Sequence, residues 1–242
     1  MDIILNNWLL RKLFLLRKIF LSRTSFRHYS QYGEDIPTWD HLAPIKKGFF
    51  VDVGCFHPKK YSNTYRWYRM GWRGVNIDLD PIKIEAFQMV RPKDVNLVYA
   101  IDREGNGELR DCYLFGRYSL ISTLDKDFAE KQREMGKQYV VSQVPAASLD
   151  YVLDRTRFAG RKIDLLSVDA EGHDLAILQS LSFERYSPYL ILVELHQSTL
   201  AKVMASPLYQ FLSDKGYDLV NWMGPTLVFK RRRASKVAGS SR

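Results

Sequence analysis

Two short apolar runs set the pattern of this chain. Phe49-Phe50-Val51 and Val53 form a near-continuous apolar stretch, interrupted by Asp52 and closed by Gly54. After a loop and a helical segment, Val75-Asn76-Ile77 repeats the arrangement and ends in Asp78. A strand without polar alternation is buried on both faces, as in a parallel sheet. The spacing predicts a strand over 48–53, a helix over 62–70 stopped by Gly71, a strand over 75–77, and a helix opened by Pro81 that runs to about Val90. A third strand covers 95–101. Between 103 and 147 the pattern loosens into an extra strand over 108–115, a charged helix or mobile loop over 124–137, a strand over 140–144 and a helix capped by Ser148. Regularity returns with a strand over 163–168, a helix over 173–181, a strand over 189–195 and a helix over 199–213. Two last strands, 217–221 and 226–230, turn at Met223-Gly224-Pro225 as a hairpin. This alternation predicts an α/β fold: a Rossmann-like, doubly wound, mostly parallel seven-stranded sheet with an antiparallel strand near the C-terminal edge.

Charge divides the chain into three parts. The net charge of the 242 residues is +9, of which residues 1–33 carry +5 and residues 230–242 carry +6, leaving −2 for the body. A nucleic-acid enzyme carries its basic stripe on the folded body, so no nucleic-acid partner is expected. We divide the chain into a basic amphipathic segment over 1–30, a domain over 31–230 and a basic tail over 231–242. Residues 3–27 are rich in Leu, Ile and Phe, but the longest charge-free run is eight residues, Ile3 to Leu10. A membrane-spanning helix needs about 20. On a helical wheel Leu5, Leu9, Leu13, Leu16 and Phe20 share one side and Arg11 and Lys18 lie opposite, so the segment reads as an interfacial helix on an anionic membrane surface. Packing on the domain, packing on a second copy, and a role as a targeting segment stay open. The two cysteines, Cys55 and Cys112, form no spaced framework, which fits a reducing compartment. A cytoplasmic location is expected, peripheral to the inner face of a membrane.

Acids at strand tips place a nucleoside cofactor at the carboxyl ends of the parallel strands. The loop after Gly54 is Cys-Phe-His-Pro-Lys-Lys-Tyr-Ser. It lacks the second glycine of a dinucleotide fingerprint, and no P-loop is present. An acid before a single glycine suits S-adenosyl-L-methionine, whose tail carries an ammonium and no phosphate. Asp52 would lie near that tail and Asp78 on the ribose hydroxyls. Gln31-Tyr32-Gly33-Glu34-Asp35 can fold over a cofactor as a lid, or can be a turn ending in a helix cap.

Six stretches in order resemble the FkbM family of S-adenosylmethionine-dependent methyltransferases. They are Gln31-Tyr-Gly-Glu-Asp35, Phe50-Val-Asp-Val-Gly54, Ser62-Asn-Thr64, Gly71-Trp-Arg-Gly74 with Asn76-Ile-Asp78, Ala100-Ile-Asp102, and Asp164-Leu-Leu-Ser-Val-Asp-Ala-Glu-Gly172. The loop His57-Pro-Lys-Lys60 departs from the family's commoner loop. The resemblance implies a class I methyltransferase fold, with Tyr32, Asp52, Gly54, Asn63, Asp78, Leu79, Ile101 and Asp102 at the cofactor. It also implies methyl transfer to a hydroxyl of a sugar, polyketide or glycolipid, with a small-molecule or glycan acceptor as partner.

The chemistry of transfer needs a base. Asp169, Glu171 and His196 are the catalytic candidates. Asp169 ends the fourth core strand, where it can act as base, orient the hydroxyl, hold the methionine tail or cap the next helix. Glu171 can equally be a carboxylate near a helix N-terminus. Glu194 and His196 are two apart at a strand end and share a face, and an imidazole is a base suited to neutral pH. His57 and His173 are weaker candidates. His57, Lys59, Lys60 and Glu194 are assigned to the acceptor, with the lysines on a phosphate of an activated sugar or in a solvated loop. Asp169, Glu194 and His196 can gather a divalent metal, but nothing in the spacing demands one and none is assigned. The segment Asp169-Ala-Glu-Gly172 lacks the aromatic and proline pair used to methylate flipped bases. Two other classes stay in view: a Rossmann enzyme on a nucleotide-sugar or NAD, and a non-catalytic module docked on a membrane.

Overall fold

The computed structural model describes residues 8–21, 27–116, 118–170 and 172–233. Ten strands form two sheets. The larger contains β1 (Phe49–Val53), β2 (Arg73–Asp78), β3 (Val95–Val98), β7 (Leu165–Val168), β8 (Leu190–Glu194), β9 (Tyr217–Met223) and β10 (Thr226–Arg231). Their order is β3-β2-β1-β7-β8-β10-β9, with the first five parallel and β10 antiparallel to both its neighbours. The sheet thus has the predicted topology. The strand order reverses at β1/β7, and in open α/β sheets that crevice receives the ligand.

Burial on both faces explains the unbroken apolar runs. Phe49, Val51 and Val53 of β1 join one core cluster with Leu166, Val168, Ile191 and Val193. Phe50 joins another with Leu165, Leu190, Leu192, Trp67 and Trp72. Alternate residues of each strand therefore feed opposite layers. Gly71, with φ +94°, ends α3 (Tyr65–Arg69) in a conformation that costs a glycine little, and Trp72 turns back to lie 5.0 Å from Trp67.

On the second face a polar row interrupts the core. Asn76, Asp52 and Ser167 stand side by side on β2, β1 and β7. All three are buried, so each needs a partner. The loop after β1 supplies two. Thr64 Oγ1 donates to Asp52 at 2.5 Å and Asn63 Nδ2 donates to Ser167 at 3.1 Å. The rest comes from Arg91, just past α4 (Pro81–Val90) and fully buried. Its guanidinium donates to the carbonyl of Pro58 at 2.9 and 2.7 Å, to the hydroxyls of Ser62 and Thr64 at 2.8 Å each, and to Asn76 Oδ1 at 3.4 Å. Burial lowers the Arg91 pKa, and the Asp52 and Asp94 carboxylates oppose that. The loop 55–64 is thereby fastened to the sheet from beneath.

The structure departs from the sequence pattern at three places. The helix expected over 62–70 begins only at Tyr65, because Ser62, Asn63 and Thr64 are occupied by the polar row. The strand expected over 95–101 divides: β3 stays in the main sheet, and β4 (Ala100–Ile101) leaves to pair with β6 (Val140–Ala147). With β5 (Asn106–Leu114), these form a three-stranded sheet in the order β4-β6-β5. The stretch read as helix or loop contains α5 (Lys126–Glu134), capped by Asp125 on the Phe128 N–H. The helix expected over 199–213 breaks into α8 (Leu200–Met204) and α9 (Pro207–Asp214), since Pro207 cannot continue a helix but opens one well. The remaining helices are α1 (Trp8–Phe20), α2 (Trp39–Leu42), α6 (Leu149–Asp154) and α7 (Asp174–Gln179).

Arg91→Met removes the donors to four oxygens that have no water to replace them. We expect a loss of about 3 kcal/mol or more, seen as a fall of roughly 6–12 °C in Tm. Arg91→Lys should recover little of it, because an ammonium cannot span the same oxygens. A melting curve for Arg91→Met within two degrees of the wild type, roughly 1 kcal/mol or less, would remove Arg91 from this role.

Candidate active site

A cavity of about 690 Å³, counting its open mouth, lies at the carboxyl ends of β1, β2 and β7. Gly54, Asp78, Leu79, Ile101 and Asp169 line it, five of the residues singled out from the sequence. Leu120, Ser122 and Thr123, from the segment between β5 and β6, close another side. Gly54 sits where the chain passes closest to β7: a Cβ built there would lie 1.7 Å from the Asp169 carbonyl oxygen. Its φ of +75° independently favours glycine.

The acids differ in their surroundings. Asp78 is buried, accepts the Asp80 N–H at 2.8 Å and pairs with Lys83 at 3.3 Å. Burial raises its pKa, while the Lys83 charge and the Asp80 hydrogen bond hold it back. Asp52 lies behind the cavity wall, and burial pushes it up to about 6 against the Thr64 hydrogen bond, the Arg91 charge and a Ser167 hydrogen bond. Asp169 is exposed at the cavity surface, although neighbouring protein atoms crowd its carboxyl. Loss of hydration raises its pKa; a hydrogen bond with Glu194 and the charge of His196 work the other way. His196 is exposed and its Nε2 lies 3.4 Å from Glu194 Oε1. The three groups thus run from the cavity to solvent at the tips of β7 and β8. Among the described residues, no group of three or more His, Cys, Asp or Glu is placed to hold a metal ion.

Other expected site residues lie elsewhere. Asp102 is outside the cavity lining, paired with Arg110 at 2.6 Å. Asn63 serves the polar row. Tyr32 is half-exposed and lies against the turn at Gly224, and its segment is tied down by Thr226 donating to Glu34 at 3.1 Å and by Arg66 with Asp35 at 2.8 Å. His57 accepts the N–H groups of Lys59 and Lys60 at 3.0 Å each, which makes it the lock of its own turn. Glu171 falls outside the described residues.

Sequence reasoning missed Lys83, the lysine beside Asp78 in the cavity, and Asp174. Asp174 accepts the N–H groups of Ala170 and Gly172 at 3.2 Å each and so shapes the loop that carries Asp169. An acid in the first turn of a helix was its available signal. His173, before it, also lines the cavity.

The donor set fits S-adenosylmethionine. Asp78 offers carboxylate oxygens for ribose hydroxyls, Leu79, Ile101 and Tyr99 give an apolar wall for a base, and Asp169 with the buried Asp52 favours a cationic ligand. No glycine-rich cradle for a phosphate accompanies them.

Burial and the Asp169 charge, opposed by its backbone hydrogen bonds, push Asp174 up to about 7. A carboxyl whose pKa is higher folded than unfolded contributes stability at low pH that is lost as pH rises to the folded value. Against wild type, Asp174→Asn should therefore gain Tm steadily between about pH 4 and pH 7 and stay level above. A difference in Tm that does not change with pH would contradict this. The methyltransferase FkbM domain family matches residues 52–219. Among solved structures, a TehB-like SAM-dependent methyltransferase from Corynebacterium glutamicum is similar at 13% identity, with 93% of this chain and 100% of that chain covered and a TM-score of 0.42. No curated protein matches the chain. The chain belongs to the FkbM family of methyltransferases, and S-adenosyl-L-methionine is its methyl donor.

Proposed function

We propose that this methyltransferase acts on oxygen, moving a methyl group to a hydroxyl of a sugar, glycolipid or related metabolite. The observation that carries the reading is the Asp169–Glu194 pair at the cavity surface with His196 beside it. A hydroxyl must lose its proton as it attacks, and the Asp169 carboxylate at the cavity surface is placed to take it. Glu194 and His196 then offer a route to water. Bound S-adenosylmethionine supplies an electrophilic methyl group. The protein holds the ribose with Asp78, keeps negative potential near the tail with Asp52, and positions the acceptor at Asp169. A positioned base contributes about 10²–10⁴-fold, and alignment supplies much of the remainder. The nicotinamide alternative ends with the family membership.

A peripheral membrane location is part of the proposal. Every residue of α1 is exposed, Leu13, Leu16 and Phe20 share a side, and Arg11, Lys12, Arg17 and Lys18 lie on the rest. The helix carries no acid, which suits an anionic surface. Among the described residues no helix is long and apolar enough to cross a membrane.

Three measurements test this. Methyl label from the cofactor, offered to glycan, glycolipid and small-molecule extracts, should appear in base-stable ether linkage; label found only on nitrogen or in base-labile esters would end the hydroxyl reading. Asp78→Ala should weaken cofactor binding about 10–100-fold, whereas Asp169→Asn should cut turnover about 10²–10⁴-fold with little change in cofactor Kd. Unaltered turnover in the second variant would exclude Asp169 as base. Deleting residues 1–21 should abolish sedimentation with anionic vesicles and leave cofactor affinity unchanged. Sedimentation equal to that of the full chain would refute the membrane role.

A further inference from the structure

The loop 55–61 has two sides. Phe56 faces the cofactor cavity, whereas Lys59, Lys60 and Tyr61 line a second cleft of about 920 Å³, counting its open mouth. The Phe56 and Tyr61 rings stack 6.4 Å apart, so the two spaces are separated by little more than this loop. Arg27 and Arg69 complete a set of four cations in the cleft, and Tyr29, Tyr61 and Tyr65 provide aromatic faces among them. Among the described residues none of the four cations forms an ion pair with a carboxylate. Asp35, the acid held by the adjoining segment, is committed to Arg66, the Ser30 hydroxyl and the Tyr29 N–H.

The cleft is also rigid. Arg91 grips the Pro58 carbonyl with two nitrogens, and His57 binds the N–H groups of both lysines. Ser62 donates its N–H to the Tyr29 carbonyl at 3.0 Å, which fastens the opposite wall. Tyr29 packs edge-on to Tyr65 at 4.9 Å, its hydroxyl bonded to Arg69, and the Lys60 ammonium lies 4.5 Å over the Tyr61 ring. Four like charges lining one open cleft repel one another until an anion arrives. Two lysines and two arginines match a dianion better than a single carboxylate, and tyrosine faces suit the apolar faces of a sugar ring.

We infer that this cleft binds the phosphate of a phosphorylated sugar, free or lipid-linked, and that this molecule is the methyl acceptor. The anion site stands on its own geometry; its assignment to the acceptor rests on the O-methyltransferase reading. Bound there, the phosphate would hold the acceptor beside the loop whose other side walls the cofactor cavity.

The test uses the full-length protein and calorimetry with hexose 1-phosphate, inorganic phosphate and the neutral hexose, together with sedimentation of vesicles of phosphatidylcholine with and without phosphatidylglycerol. Hexose 1-phosphate should bind and the neutral hexose should not, and added salt should weaken the binding. Lys59→Ala/Lys60→Ala, exposed positions whose change should leave the fold intact, should reduce the affinity about tenfold or more, while cofactor Kd stays the same. Arg69→Met should act in the same direction. If vesicle binding, rather than hexose 1-phosphate binding, is what the double variant loses, the cleft holds a membrane lipid headgroup and the sugar-phosphate assignment is overturned. If hexose 1-phosphate, inorganic phosphate and anionic vesicles all bind the double variant as they bind the wild type, the inference is overturned. Methyl transfer is scored separately. Hydroxyl methylation together with phosphate binding that ignores the lysines would defeat this inference alone. Lysine-dependent phosphate binding without methylation of any hydroxyl would defeat the oxygen reading and leave the anion site standing.

Discussion

A single buried guanidinium organises the functional end of this protein. Arg91 lies where water cannot reach, yet it has five N–H groups to satisfy. It satisfies them with oxygens from the loop that follows β1 and from Asn76 on β2. That loop forms the partition between the two cavities. On one side the arrangement presents Phe56 to the cofactor space; on the other it projects Lys59 and Lys60. Both faces inherit their geometry from the same cation. Asp52 benefits as well, because Thr64, which donates to it, is itself held by Arg91. A buried charge is costly to desolvate, and here its cost is offset by several hydrogen bonds together with the Asp52 and Asp94 carboxylates.

The remaining electrostatics follow from strand ends placed close together. Parallel strands finish on one edge, and the acids Asp52, Asp78 and Asp169 all fall there. Each is raised by burial, so each would be relieved by positive charge in the cavity. A cationic cofactor supplies it. Asp169 and Glu194 meet at the same edge, with His196 beside Glu194, so the tips of β7 and β8 gather three ionisable groups between the cavity and solvent.

Much of the fold was legible because its central strands are buried on both sides. Phe49 to Val53 could hardly have been anything else, and the strand-tip acids followed from it. The breaks were less legible. Nothing in Val95 to Ile101 announces that Tyr99 is where the chain leaves one sheet for another, since both parts are equally apolar. Ser206-Pro207 did carry a signal for its helix break. At the site, Gly54 and Asp78 stood out because strand ends are positions of known chemistry. Arg91 and Lys83 did not, because a lone cation at or near a helix end looks the same whether it faces water or the core. Asp102 misled for the opposite reason: it is at a strand end, but of the small sheet, where Arg110 takes it up.

The small sheet deserves a different description. Ala100 pairs with Ala146 and Ile101 with Ala147, so the chain enters and leaves this excursion side by side. Everything from 102 to 145 is a closed detour zipped at its base. Lengthening such a loop costs only about 0.6 kcal/mol for each doubling, and the main sheet does not register the change. The detour nonetheless contributes Leu120, Ser122 and Thr123 to the wall of the cofactor cavity. A segment closed in this way can change in length or sequence at that wall at little cost to the sheet that carries Asp52 and Asp78.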